Sequence, residues 1–147
     1  MIIDEIDKSI LKELIQDGRQ SMRELAKKVN LSAPSVTERV RKLESEGVIK
    51  GYSVEIDYGK LGLGIECFVE VTLRQGEYEK FRKKIADHPH AEFCYRIAGQ
   101  ACYIVKLRLK NFQQIEGFIN EITSYAGTVT HIALSEIKTN SIFIDIE

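Results

Sequence analysis

Between Ser21 and Leu43 the chain gathers side chains suited to holding a polyanion and touching its edges. Arg23, Arg39, Arg41 and Lys42 are candidates for phosphate or guanine contacts, while Ser21, Ser32, Ser35 and Thr37 supply short hydroxyls. Ala33 and Pro34 offer small carbon surfaces of the kind that meet thymine methyls, and Glu38 shares the outward face with Ser35, Thr37 and Arg41. From Arg19 to Lys42 there are seven cations against two anions, although the whole chain carries a net charge of -1. The basic footprint is therefore local, as a small nucleic-acid-reading head requires. Two of these residues have an alternative use inside the protein. Glu38 and Lys42 are spaced to pair with each other along a helix, and Arg39 is equally placed for an internal salt bridge.

Helical periodicity explains how the segment is held. Asp4 is placed to cap a helix over 4–17, with Ile6, Ile10, Leu11 and Leu14 as its apolar stripe and Asp17-Gly18 as its stop. Ser21 followed by Glu24 is a capping-box pattern that opens a short helix over 21–29. Asn30 suits the left-handed residue of a tight turn, and Ser32 then caps a third helix over 33–46. Pro34 falls in that helix's first turn, where its missing N–H is harmless, and Val36, Val40 and Leu43 form the buried stripe. The result is a helix-turn-helix whose second helix begins at Ser32. Val48 to Asp57 alternates and is expected to form a strand or small hairpin, a wing in which Lys50 and Tyr52 face backbone, with Tyr52 equally placed as a core-edge residue.

Three glycines between Tyr58 and Gly64 mark a linker over 58–62, giving domains at 1–57 and 63–147. Beyond it the period changes. Strands are expected at 65–73, 90–98, 102–109 and 128–137, with helices at 77–87 and 111–124, which is the β-α-β-β-α-β order of a ferredoxin-like domain. The fold class is thus α+β, a winged helix-turn-helix followed by a ferredoxin-like domain. Residues 141–146 alternate again and suit an edge strand of this sheet or a partner's.

Other chemistries find no support. Cys67, Cys94 and Cys102 sit singly in apolar segments, and His88, His90 and His131 are scattered, so neither a metal nor a cofactor is expected. No Ser/His/Asp or Cys/His set, Walker loop or Gly-x-Gly-x-x-Gly after a strand is present, and no residue is assigned a catalytic role. With 44% hydrophobic and 29% charged residues and no long apolar run, the expectation is a cytoplasmic, nucleoid-associated protein that does not enter the membrane. An adaptor whose winged helix no longer binds DNA is the rival class, and the local positive charge weighs against it.

The run Ile6-Asp7, Ile10-Leu11, Asp17-Gly18-Arg19, Leu25-Ala26, Leu31-Ser32, Glu38-Arg39-Val40, Leu43-Glu44 and Gly47-Val48-Ile49 resembles the Lrp/AsnC family of feast/famine transcriptional regulators. The resemblance covers essentially the whole chain. It implies a regulator that binds double-stranded DNA, pairs through the sheets of its C-terminal domains, assembles further to octamers and commonly answers to an amino acid. Family members that sense amino acids carry a Gly-Asp-aromatic-Asp-like turn between the second and third strands. Here the turn reads Gly99-Gln100-Ala101-Cys102-Tyr103, without either acid. The resemblance places candidate effector contacts at Tyr95, Ala98, Gly99, Gln100 and Tyr103, with a simple hairpin turn at Gly99 and sheet packing by Tyr103 as the alternative. Two subtypes follow: an effector-responsive regulator, and an architectural protein that bends or wraps DNA without an amino acid.

Overall fold

A computed structural model describes residues 2–139, which divide into two compact units at Glu55/Ile56. The first holds three helices: α1 (Glu5–Gln16), α2 (Met22–Lys28) and α3 (Ala33–Ser45). Their core is Ile10, Leu14, Leu25, Ala26, Val36, Val40 and Leu43, the stripes that periodicity marks. The strand or small hairpin expected over 48–57 is not formed: no residue from Val48 to Asp57 is in a strand. A strand needs a ladder partner, and no strand lies beside this segment among the described residues; Tyr52 instead reaches α3, its hydroxyl donating a hydrogen bond to Glu44 Oε1 at 2.9 Å.

In the second unit β1 (Ile65–Leu73), β2 (Ala91–Arg96), β3 (Tyr103–Leu109) and β4 (Ala126–Ile132) form one antiparallel sheet in the order β2-β3-β1-β4. That is the ferredoxin-like order. Helices α4 (Tyr78–Ala86) and α5 (Phe112–Ile122) bury Phe81, Ile85, Ile115, Phe118 and Ile122 against Cys67, Val69, Val71, Val105 and Leu107. Among the described residues of this unit, no helix covers the other face of the sheet. It carries Phe68, Phe93, Tyr95, Ile104 and Val129, with Lys106 and Arg108 bridging Glu66 and Glu92.

Two boundaries differ from expectation. β4 begins at Ala126 and stops at Ile132, so the segment expected to run to residue 137 is shorter. The glycine-rich stretch is not a bare spacer either. Tyr58–Leu61 forms a turn of 3-10 helix capped by Asp57, and the Arg108 guanidinium lies 4.4 Å over the Tyr58 ring. The edge strand expected over 141–146 lies outside the described residues.

Candidate nucleic-acid interface

The two helices of the motif are set by local chemistry. Ser21 Oγ accepts the Glu24 N–H at 3.2 Å and the Glu24 carboxylate accepts the Ser21 N–H at 2.7 Å, which closes the capping box of α2. Asn30 adopts φ 55° and Leu31 N–H reaches Ala26 O at 3.0 Å, so the chain reverses within three residues. Ser32 Oγ accepts the Ser35 N–H at 3.3 Å to start α3. Ser21 is thus first of all a cap, and one N–H that a phosphate would use at the start of α2 already has a carboxylate on it.

With Val36, Val40 and Leu43 buried, the opposite face of α3 exposes Ser32, Pro34, Ser35, Glu38, Arg41 and Lys42, with Ala33 and Thr37 half-buried beside them. The hydroxyls are partly occupied. Those of Ser32 and Ser35 share one hydrogen bond at 2.7 Å, and the Thr37 hydroxyl donates to Ala33 O at 2.8 Å. Thr37 therefore presents an acceptor oxygen and a methyl group outward, not a donor. The expected Glu38–Lys42 pair does not form. Among the described residues the Arg19, Arg23, Lys27, Arg41, Lys42 and Lys50 side chains have no ion-pair partner, whereas Lys28 is held by Glu13 at 3.0 Å.

Arg39 takes the alternative left open for it, an internal salt bridge. Its Nη1 donates to Asp4 Oδ2 at 2.7 Å and to Asp7 Oδ1 at 2.8 Å, tying α3 to the start of α1. Asp7 is buried and also receives the Asp4 N–H at 3.2 Å. Hydrogen bonds from the Asp7 N–H and then from Arg39 hold the Asp4 carboxyl below the ordinary carboxylate value, and the same two acids raise Arg39. Asp4 and Asp7 are recognisable as a capping pair, but nothing in the spacing names Arg39 as their cation. Gln20 is a second positioning residue that sequence reasoning missed: its side-chain amide donates to Glu13 O and Asp17 O at 2.8 and 2.9 Å and closes the end of α1.

The five candidate effector residues do not converge. Tyr103 is buried beneath α4, its ring centroid 5.0 Å from that of Phe81 and 6.3 Å from that of Tyr78. Tyr95 stands on the opposite, helix-free face and is exposed, and Ala98 and Gly99 are exposed in the turn. Gly99 does not use a left-handed φ, and a Cβ there would meet nothing within 4 Å, so the turn itself does not demand glycine. Gln100 lines a cavity of about 330 Å³ together with Glu70, Thr72, Ala101, Gly127, Thr128 and Val129.

Residues 3–50 match the winged helix-turn-helix DNA-binding family, and residues 66–143 match the Lrp/AsnC ligand-binding domain. The chain belongs to the Lrp/AsnC family. It is similar to the HTH-type transcriptional regulator LrpC of Bacillus subtilis, 52% identical over 96% of this chain and 98% of that one. The solved structure of LrpC superposes with a TM-score of 0.91 over 95% of this chain and all of its own. A feast or famine regulatory protein of Mycobacterium tuberculosis complexed with L-methionine, 30% identical, gives 0.87 over 97% and 99%. The curated relatives are transcriptional regulators, and this Lrp/AsnC chain is a DNA-binding regulator rather than an enzyme.

At the turn, Gln100 and Cys102 stand where the resemblance leads one to expect acids, and Cys102 is engaged on the helix side, its Sγ 3.5 Å from the Tyr78 hydroxyl. That contact lowers the Cys102 thiol below its ordinary value. Among the described residues no helix is long and apolar enough to cross a membrane.

Proposed function

We propose that this Lrp/AsnC regulator lays α3 in the major groove of double-stranded DNA. Ser32, Ala33, Pro34, Ser35, Thr37 and Glu38 face base edges, and Arg23, Arg41, Lys42 and Lys50 hold flanking phosphates. One observation supports this most. The face of α3 opposite its buried stripe is exposed, and its cations Arg41 and Lys42 have no ion-pair partner among the described residues. A head of this size spans few base pairs, so two copies are needed to read a pair of half-sites. The helix-free sheet face, with Phe68, Phe93, Tyr95 and Ile104, is the surface through which we pair them, and the dimers then assemble towards octamers on the nucleoid, in the cytoplasm.

An amino acid is the effector class suggested by the L-methionine complex of the Mycobacterium tuberculosis relative. The cavity beside Gln100, Thr72, Thr128 and Glu70 is its candidate seat, with the Glu70 carboxylate in place of the absent turn acids for an ammonium. The loss of those acids also favours a second reading, an architectural protein that bends DNA without an effector. Selection of bound duplexes from a random pool tests the first part: an enriched half-site motif that changes with Ser35→Ala or Thr37→Val supports the assignment of α3, and an unchanged motif refutes it. Calorimetry against the twenty amino acids separates the two readings, since heat from any of them supports sensing and silence across the panel supports the architectural one.

A further inference from the structure

The glycine-rich stretch that follows the first unit is folded and seated on the sheet. Asp57 Oδ1 accepts the Lys60 N–H at 3.2 Å, Gly59 O accepts the Gly62 N–H at 3.0 Å and Tyr58 O accepts the Leu63 N–H at 2.9 Å, so the chain closes on itself over 57–63. Gly62 ends this turn at φ 78°, in the left-handed region. Tyr58 and Leu63 line a small cavity of about 130 Å³ with Pro89, Ala91, Glu92 and Arg108. The Arg108 guanidinium, 4.4 Å from the centre of the Tyr58 ring, is itself held: its Nη1 lies 2.8 Å from Glu66 Oε2 and its Nε donates to Glu92 Oε2. A cation fixed by two carboxylates gives the ring a fixed point on the sheet. On the other side, Tyr52 is anchored to α3 through Glu44. Between that anchor and the cap at Asp57 lie the four residues 53–56, all exposed, and the division between the two units falls within them.

We infer that Tyr58 and Arg108 are positioning residues that set which separations of two half-sites the regulator reads, a role that rests on the pairing of heads proposed above. By pinning the turn to the sheet they shorten the free connection from the ten residues 53–62 to the four residues 53–56. Once one head is on DNA, the effective concentration of the second falls with about the −3/2 power of the connection's length. Release of the turn therefore lowers it roughly fourfold at the preferred spacing. The same release adds up to about 20 Å of reach, which opens spacings that the short connection excludes. Tyr58 and Arg108 touch no base and no phosphate in this scheme; they act through the length of chain left free.

Binding of the full chain to duplexes with one or two copies of the motif enriched from a random pool, the spacer stepped through one helical turn, tests this. Tyr58→Ala removes the ring, which is no part of the core of the second unit. Gly62→Val opens the turn independently, because a β-branched residue resists φ 78° although its Cβ would meet nothing within 4 Å. Both variants should keep the wild-type affinity for a single site, bind the preferred pair roughly fourfold more weakly and show a flatter spacing profile. Tyr58→Phe keeps the ring and should reproduce the wild type. A Tyr58→Ala profile with the wild-type peak and depth overturns the proposal, and so does a loss of single-site affinity, which would assign Tyr58 to the reader head. Trypsin reads the turn without DNA: cleavage after Lys60 should quicken roughly tenfold in Tyr58→Ala and not in Tyr58→Phe, and an unchanged rate in Tyr58→Ala overturns the clamp. A wild-type protein that gains nothing from a second site at any spacing refutes the pairing of heads, and this role with it. The trypsin rates stand apart from pairing, so the two failures are told apart.

Discussion

Replacing Arg39 with Met should destabilise the reader head without weakening the salt dependence of DNA binding. The magnitude follows from burial. Asp7 is 5% exposed and loses the cation that its Oδ1 meets at 2.8 Å, while the Arg39 side chain is 31% exposed and partly screened by water. A fully buried carboxylate stripped of its partner costs about 3 to 5 kcal/mol, and a surface pair about 0 to 1. An intermediate value of about 2 kcal/mol is expected here, and for a unit of this size about 8 to 16 °C in the Tm of its transition. Asp7→Asn in the same chain should recover part of the loss, because the uncompensated charge disappears with it. Urea unfolding followed by circular dichroism gives the free energies, and fluorescence anisotropy on a labelled duplex at several salt concentrations gives the slope. A loss below about 0.5 kcal/mol, or a slope that falls as it would for a lost phosphate contact, refutes the assignment of Arg39 as an internal clamp.

Further outcomes follow from the same reasoning. The clamp carries a pH dependence: Asp4 titrates below its ordinary 3.8 in the folded state, so its contribution is present above that value and is lost as pH falls through the lower folded one. Acid titration of wild type and Asp4→Asn should show the variant with the shallower loss of stability in that window. Burial against Phe118 lowers His88 from 6.5, so the second unit should lose stability as pH falls from about 6.5 towards the folded value, and His88→Gln should flatten the decline measured as Tm. Of the three cysteines, Cys102 should alkylate first near neutral pH, since the Tyr78 hydroxyl lowers it, while burial raises Cys67 and Cys94; peptide mass spectrometry after brief iodoacetamide treatment checks the order.

What the residues reveal in order along the chain depends on whether the cause is local. The Ser21–Glu24 box, the left-handed Asn30 and the cap at Ser32 act within three or four positions, and each stands where the spacing places it. Arg39 is different, because its partners lie 32 and 35 positions away and no local rule distinguishes it from Arg41. The spread of the candidate effector residues over two faces has another cause. A register shift between Ala91 and Phe93 changes which face β2 presents, so that Tyr95 points to the open side while Tyr103, across the strand pair, is buried under α4. Strict alternation cannot reveal such a shift. The strand expected over 48–57 differs because alternation at Val48–Asp57 describes a segment that has no strand beside it among the described residues.

The claim that α3 meets DNA through its exposed cations is tested most directly by the salt dependence of binding. Anisotropy titrations of wild type and Arg41→Ala across a range of salt give the slope of log affinity against log salt. The account predicts weaker binding to every duplex and a slope smaller by about 0.9 for each head engaged, hence about 1.8 for a paired protein. An Arg41→Ala protein with the wild-type slope and affinity would contradict it.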